Sequence, residues 1–198
     1  MENVIDKIKE VLGKADLTSV KKVKEISSLI RSAEKIDFSK IKDGEHFTYK
    51  GREWIRLGEE QGGVLCITAK VWKELAFDKN GCNDYRKSSV RKAIEEQFLP
   101  NLDADDLLPY EMDLTADNGD DAYGKCKVSV GILSCDLYRK YRKFIPLFKE
   151  WMWTCTAWNC SPNSGLSNFV RSVITAGNVN NSNANNSNGV VPACIFKI

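Results

Sequence analysis

A single histidine, His46, stands among 198 residues, so any Ser–His–Asp or Cys–His device would have to recruit it. A lone histidine in a strand-like run is more often exposed or structural than catalytic. The seven cysteines are scattered, with no C-x-x-C pair, which excludes zinc-knuckle and thioredoxin-like sites on spacing. Cys66 and Cys194 lie in apolar runs and read as small buried hydrophobes. Cys155 and Cys160 are near neighbours, but the absence of an export signal points to a reducing compartment and free thiols. From Glu95 to Asp121 there are ten acidic residues and neither lysine nor arginine. Within it, Asp117-Asn118-Gly119-Asp120-Asp121 lacks the alternating ligands and distal glutamate of a calcium loop. The plainer reading is a solvated acidic loop, answered across the surface by Arg139, Lys140, Arg142 and Lys143. No base stands beside a nucleophile, so the expectation is a protein without catalysis, cofactor or metal.

What remains is the chemistry of recognition. Ten asparagines crowd the stretch after Trp158: Asn159, Asn163, Asn168, Asn178, Asn180, Asn181, Asn183, Asn185, Asn186 and Asn188. Each amide offers two donors and two acceptor lone pairs on a short side chain that loses little rotamer entropy when fixed. Trp158 and Phe169 add apolar area, Arg171 a charged anchor and Ser164 a hydroxyl. Aromatic and arginine anchors among small polar groups are the composition of adaptable binding surfaces. Core packing is the competing role for the tryptophans, the stronger one for Trp151 and Trp153 and an equal one for Trp158. The expectation is that these residues are largely exposed and converge on one surface.

Strands must position that surface. Phe169-Val170-Arg171-Ser172-Val173-Ile174-Thr175 reads as a strand, Ala176-Gly177-Asn178 as a turn and Val179 as the start of the return, so the two form a hairpin. Asparagine is a poor strand former, and Asn180 to Asn188 is expected as loop or irregular edge. Val190 to Phe196 reads as a final buried strand, paired centrally. Upstream, Gly44 to Tyr49, Glu53 to Leu57 and Val64 to Thr68 form a meander with turns at Lys50-Gly51 and Glu59 to Gly63. Ser88 or Ser89 caps a helix over Val90 to Phe98, Val128 to Leu133 reads as a strand, and a short helix starts at Ser134-Cys135. Before Phe38 come two amphipathic helices, residues 2–14 with Val4, Ile5, Ile8, Val11 and Leu12 on one face, and Thr18 to Lys35. Val23, Ile26, Ile30 and Ala33 also fit a short heptad seam, so this segment packs on its own domain or on a neighbouring subunit.

The runs Gly51-Arg52-Glu53-Trp54-Ile55, Asn83-Asp84-Tyr85-Arg86-Lys87-Ser88-Ser89-Val90-Arg91, Leu107-Leu108-Pro109, Trp153-Thr154-Cys155-Thr156 and Gly189-Val190-Val191-Pro192-Ala193 follow one another in this order. In order and spacing they resemble the DUF6273 proteins of prophages and gut bacteria, whose fold is C-type-lectin-like, of the formylglycine-generating-enzyme type. Val191 stands where that family often has arginine, which removes a buried ion pair, and Ala157 where proline is common. The cysteine pair of the formylglycine-generating enzymes does not carry over onto Cys155, Cys160 or Cys194. The resemblance implies an α+β fold, a C-type-lectin-like domain over 38–198 with small antiparallel sheets, behind a helical segment 1–37. Some proteins of this fold are variable proteins of diversity-generating retroelements, in which template adenines are miscopied and asparagine codons are the richest source of substitutions. The tract within 158–188 is similar to such a target. The implied partner is a macromolecule, protein or glycan, at a cell surface. A structural prophage or virion protein is the alternative, with 1–37 as its oligomerisation or virion contact.

Composition narrows the rest. A net charge of +2 leaves no basic stripe for nucleic acid, and no apolar run has the length of a membrane span. The charged, amphipathic N-terminus has no signal-peptide core, which points to synthesis in a bacterial cytoplasm and use there, on a virion or at the cell surface.

Overall fold

The chain divides at Asp37/Phe38 into two compact units. The computed structural model describes residues 2–33, 36–160 and 168–198, the side chains of 2–4 and 28–33 excepted. The first unit is a helical hairpin, α1 (Glu2–Gly13) and α2 (Ser19–Ala33). Lys22 Nζ donates to the Leu12 carbonyl, one of the orphan acceptors at the end of α1, and Lys14 pairs with Glu25 at 3.1 Å. Val11 is buried, whereas Ile5, Leu12, Val20 and Val23 are more than half exposed. Ile30 and Ala33 of the expected seam fall outside the described side chains.

In the second unit, β1 (His46–Tyr49), β2 (Arg52–Glu60) and β3 (Gly63–Thr68) form a meander. Its turns, Lys50-Gly51 and Gln61-Gly62, have both central residues at positive φ, which matches the twist of the strands they join. Arg56 fastens the entry segment to this meander. It is 7 % exposed, donates to the carbonyls of Phe38 and Ile41 and pairs with Asp43 at 2.9 Å. After β4 (Lys73–Ala76), Ser88 Oγ accepts from Arg91 N and so caps α3 (Ser89–Ala93), which runs on into a π turn over Ile94–Phe98. The short strands β5 (Leu107–Leu108), β6 (Tyr110–Asp113), β7 (Lys125–Val128) and β8 (Val130–Gly131) follow, then α4 (Cys135–Tyr141), capped by Ser134. The last strands are β9 (Met152–Ala157), β10 (Phe169–Val173), β11 (Val179–Asn183), β12 (Ser187–Val190) and β13 (Ala193–Phe196).

This is an α+β protein, with four helices and three open sheets among the described residues. The first sheet runs β1-β2-β3-β13-β5, with β8 also on β13, and all its pairs are antiparallel. The second runs β11-β10-β9-β12-β4, and β6 pairs with β7 alone. The second sheet is mixed rather than antiparallel, because β12 lies parallel to β9 at Gly189↔Met152. The connection Ala184–Asn186 carries the chain across to the other side of β9 instead of folding it back on β11, and Ala184 N→Asn168 O and Asn186 N→Asn183 O hold that crossing.

The expected strand Val190 to Phe196 is broken at Val191-Pro192. Proline has no N–H for a ladder and suits the point where a strand changes partners. Val190 ends in the second sheet, and Ala193 begins the centre of the first, between β3 and β5. Residues 190–196 are buried throughout. Phe196 stacks on Phe38, centroids 4.2 Å apart, and meets Trp54 edge-on at 5.4 Å.

Candidate ligand-binding face

Register places the side chains of the β10–β11 hairpin. Phe169 faces Asn183, Val170 faces Ser182, Arg171 faces Asn181 and Ser172 faces Asn180, with no bulge between the two strands. Alternation therefore puts Phe169, Arg171, Asn181 and Asn183 on one side and Val170, Ser172, Asn180 and Ser182 on the other. The turn is closed by Gly177 N→Ile174 O and Ile174 N→Asn178 O, with Gly177 at φ +85, and Tyr138 of α4 donates to the Gly177 carbonyl at 2.7 Å. Asn178 is exposed at its tip.

On the first side, Arg171 is the hub. Its guanidinium carbon lies 4.4 Å from the centroid of the Trp158 ring. Nη1 donates to Asn181 Oδ1, and Nη2 pairs with Asp117 Oδ2 at 2.6 Å. Arg139 of α4 approaches the other oxygen of Asp117 at 3.6 Å, so the basic helix does answer the acidic loop, through this one carboxylate. Arg171 Nε is buried without a hydrogen-bond partner, so the arginine is held by its two terminal nitrogens and by the indole. Asn168 Nδ2 donates to Asn183 Oδ1 at 2.9 Å and extends the patch. Trp158, Asn159, Asn168, Phe169, Arg171, Asn181 and Asn183 are all partly exposed.

The base of this patch is tied by Asn83. Its amide donates to the carbonyls of Asn159 and Phe169 at 2.8 and 3.0 Å and accepts from the Tyr123 hydroxyl at 2.6 Å. Asp84 caps the following turn and binds Arg86, and Ser88 caps α3. The run from Asn83 to Arg91 is thus framework under the patch.

The expectation of one continuous surface needs correction. Asn188 is 8 % exposed, because β12 is flanked by β9 and β4, and its Nδ2 donates to the buried Ser172 hydroxyl. Asn180, Asn185 and Asn186 are exposed, but Asn180 stands on the far side of β11 and Asn186 donates to Ser182 there. The tract is also mostly strand and not loop: main-chain pairing with β10 and β4 overrides asparagine's weak strand propensity. Asn163 and Ser164 lie outside the described residues. Of the tryptophans, Trp153 is fully buried and donates to the Leu75 carbonyl, whereas Trp151 is partly exposed and not in the core.

A cleft of about 440 Å³ opens beside the patch, lined among others by Asp113, Asp117, Cys135, Arg139, Cys155 and Thr156. Burial pushes the Cys135 and Cys155 thiols up, which keeps them protonated and poorly nucleophilic at neutral pH. All seven cysteines are free. His46 lies in the other sheet, on β1, where its Nδ1 meets Glu53 at 2.8 Å in an exposed position. In the acidic loop, Asp120 N binds Asn118 Oδ1 and Ala122 N binds Asp120 Oδ1, so these side chains shape the turn locally. No group of His, Cys, Asp or Glu suited to a metal ion occurs among the described residues. No described helix is long and apolar enough to cross a membrane.

Sequence reasoning missed Asp117 as the counter-ion of Arg171, and Asn83 as the tie beneath. A half-buried arginine in an asparagine-rich stretch does call for a carboxylate, but nothing in the chain singles out one of ten acidic residues as its partner. Scans against protein-family models, curated proteins and solved structures return no match for this chain.

Proposed function

We propose that residues 38–198 form a C-type-lectin-like display domain, similar in kind to the variable proteins of diversity-generating retroelements, and that the Arg171 face binds a macromolecular ligand, a protein or a glycan. One observation carries the reading. Asn181 and Asn183 stand on an edge strand whose main chain is paired residue for residue with β10, around an arginine already fixed over an indole. A ladder of main-chain bonds keeps its geometry whatever side chains it bears, so the asparagines can be exchanged while Asp117 and the Trp158 indole still hold the arginine. Fixed anchors lower the ordering cost of binding.

The role proposed is binding, not catalysis, since the cysteines of the adjoining cleft are buried and protonated. The exposed apolar side chains of α1 and α2 favour a secondary role for residues 1–37 as an oligomerisation or virion contact. The protein would be made in a bacterial cytoplasm and work on a virion or at a cell surface.

The test has a genetic and a binding arm. A near-repeat of the 3′ end of the gene, differing only at adenines and accompanied by a reverse transcriptase gene, is the expected genomic context. A display library varied at Asn168, Asn181 and Asn183 should yield clones with new specificities for bacterial surface molecules, and Arg171→Ala should abolish binding in those clones. A library that folds but never yields a binder would overturn the reading.

A further inference from the structure

The far side of the hairpin holds a second, separate site. An open, shallow groove of about 640 Å³ lies at the start of the β12 strand. Glu74, Lys149, Glu150, Trp151, Asn186 and Asn188 line it, with Ser182. Trp151 differs from the other four tryptophans. Trp54, Trp72, Trp153 and Trp158 each have an aromatic or cationic neighbour against the ring. The partly exposed Trp151 has neither among the described residues, and its indole N–H has no acceptor. Its main chain is fixed all the same. The Trp151 carbonyl accepts from Gly189 N at 2.6 Å, and a Cβ at Gly189 would stand 3.2 Å from that oxygen and 2.9 Å from Val71.

The polar groups of the groove are equally unspent. The carboxylates of Glu74 and Glu150 have no hydrogen bond or ion pair among the described residues. Asn186 gives one N–H to Ser182 and Asn188 gives one to Ser172, and neither side-chain carbonyl oxygen is used. The groove thus offers a partly exposed indole, two carboxylates, the side-chain amides of Asn186 and Asn188, and the Lys149 ammonium. Two carboxylates against the single ammonium of Lys149 leave the groove net negative, which disfavours an anionic ligand. Carboxylates and amides match pairs of neighbouring hydroxyls, each of which can donate and accept, and an indole face accepts the C–H-rich face of a pyranose ring.

We infer that this groove is a metal-independent binding site for a neutral saccharide, with Trp151 as the stacking platform and Glu74, Glu150 and Asn186 as hydroxyl acceptors. It uses none of the residues on the Arg171 face, since strand alternation puts Ser182 and Asn181 on opposite sides. The site therefore stands or falls apart from the binding function proposed above.

The experiment applies the full-length chain, in the presence of a chelator, to an array of immobilised neutral mono- and oligosaccharides. The expected result is retention of a defined subset of sugars. Glu74→Gln and Asn186→Ala, both at exposed positions, should weaken it about tenfold each. Trp151→Ala should abolish it, while Trp151→Tyr, which keeps an aromatic face, should retain part. Trp158→Ala and Arg171→Ala should leave it unchanged. Circular dichroism of each variant separates lost binding from lost folding. No retention of any neutral sugar by the folded wild-type chain would overturn the inference, and so would retention that falls with Arg171→Ala but not with Glu74→Gln and Asn186→Ala.

Discussion

Asn83 donates one amide N–H to the carbonyl of Phe169, 86 residues further along the chain, from a position only 1 % exposed to solvent. Its other N–H takes the Asn159 carbonyl and its oxygen takes the Tyr123 hydroxyl, so one side chain ties both ends of the segment between β9 and β10. Asn83→Ala removes three hydrogen bonds made from one buried side chain and should cost about 3 kcal/mol in urea unfolding. Asn83→Asp should cost at least as much, since it presents a carboxylate to two carbonyl oxygens. An Asp variant as stable as wild type would show that these bonds do not matter.

The asparagines divide by burial, and their tolerance should divide the same way. Asn178, Asn180 and Asn185 are exposed, and alanine or serine there should change stability by no more than about 0.5 kcal/mol per site. Asn188→Ala removes the partner of the buried Ser172 hydroxyl and should cost about 1–2 kcal/mol. Chemical denaturation of the single variants decides the order, and equal costs at Asn180 and Asn188 would contradict it.

Tyr85 is 1 % exposed and its hydroxyl has no hydrogen-bond partner. A buried, unmet hydroxyl is a standing cost, so Tyr85→Phe should be neutral or stabilise the protein by up to about 1 kcal/mol. A loss of stability of that size in thermal unfolding would mean that the hydroxyl is satisfied in solution.

Thiol chemistry should be confined to one residue. Cys82 is partly exposed and the other six cysteines are buried. Burial also holds the thiols of Cys66, Cys135, Cys155 and Cys194 up, which leaves little thiolate at pH 8. The native protein should react with about one equivalent of a thiol reagent, mapped to Cys82 by mass spectrometry, and with seven after unfolding. Rapid modification of Cys155 in native protein would count against the packing of β9.

Acid should act in part through Asp113. Its carboxylate accepts from the Thr115 hydroxyl and amide, which holds its pKa below the ordinary carboxylate value. The depressed value means a contribution present above about pH 4 and lost as pH falls through the folded-state pKa. Asp113→Asn should therefore flatten the acid limb of the stability–pH curve and leave it parallel to wild type near pH 7. An unchanged acid limb would assign that limb to other carboxylates.

Much of the framework is legible in the chain. Lys50-Gly51 announces a left-handed turn, Ser88 and Ser134 announce their helices by cap chemistry, and Gly177 marks the β10–β11 hairpin. Each is a local signal, fixed by a few adjacent residues. What the chain hides is long-range. The pairing of Arg171 with Asp117 joins residues 54 apart, and the division of the asparagines between two sides depends on register with β10. The strand character of Asn180 to Asn183 comes from a neighbour and not from asparagine itself. The switch at Val191-Pro192 carried a local mark in its proline, but the partners on either side of it carried none.

That switch makes the fold a proofreader. β13 follows the asparagine tract in the order of synthesis, and it is the strand between β3 and β5 in the first sheet. A copying error that exchanges one residue for another in the tract leaves the strands downstream intact. An error that shifts the reading frame there replaces Val190 to Phe196 with an unrelated sequence, and nothing then fills the space between β3 and β5. Chains of that kind would stay unfolded and be open to proteolysis.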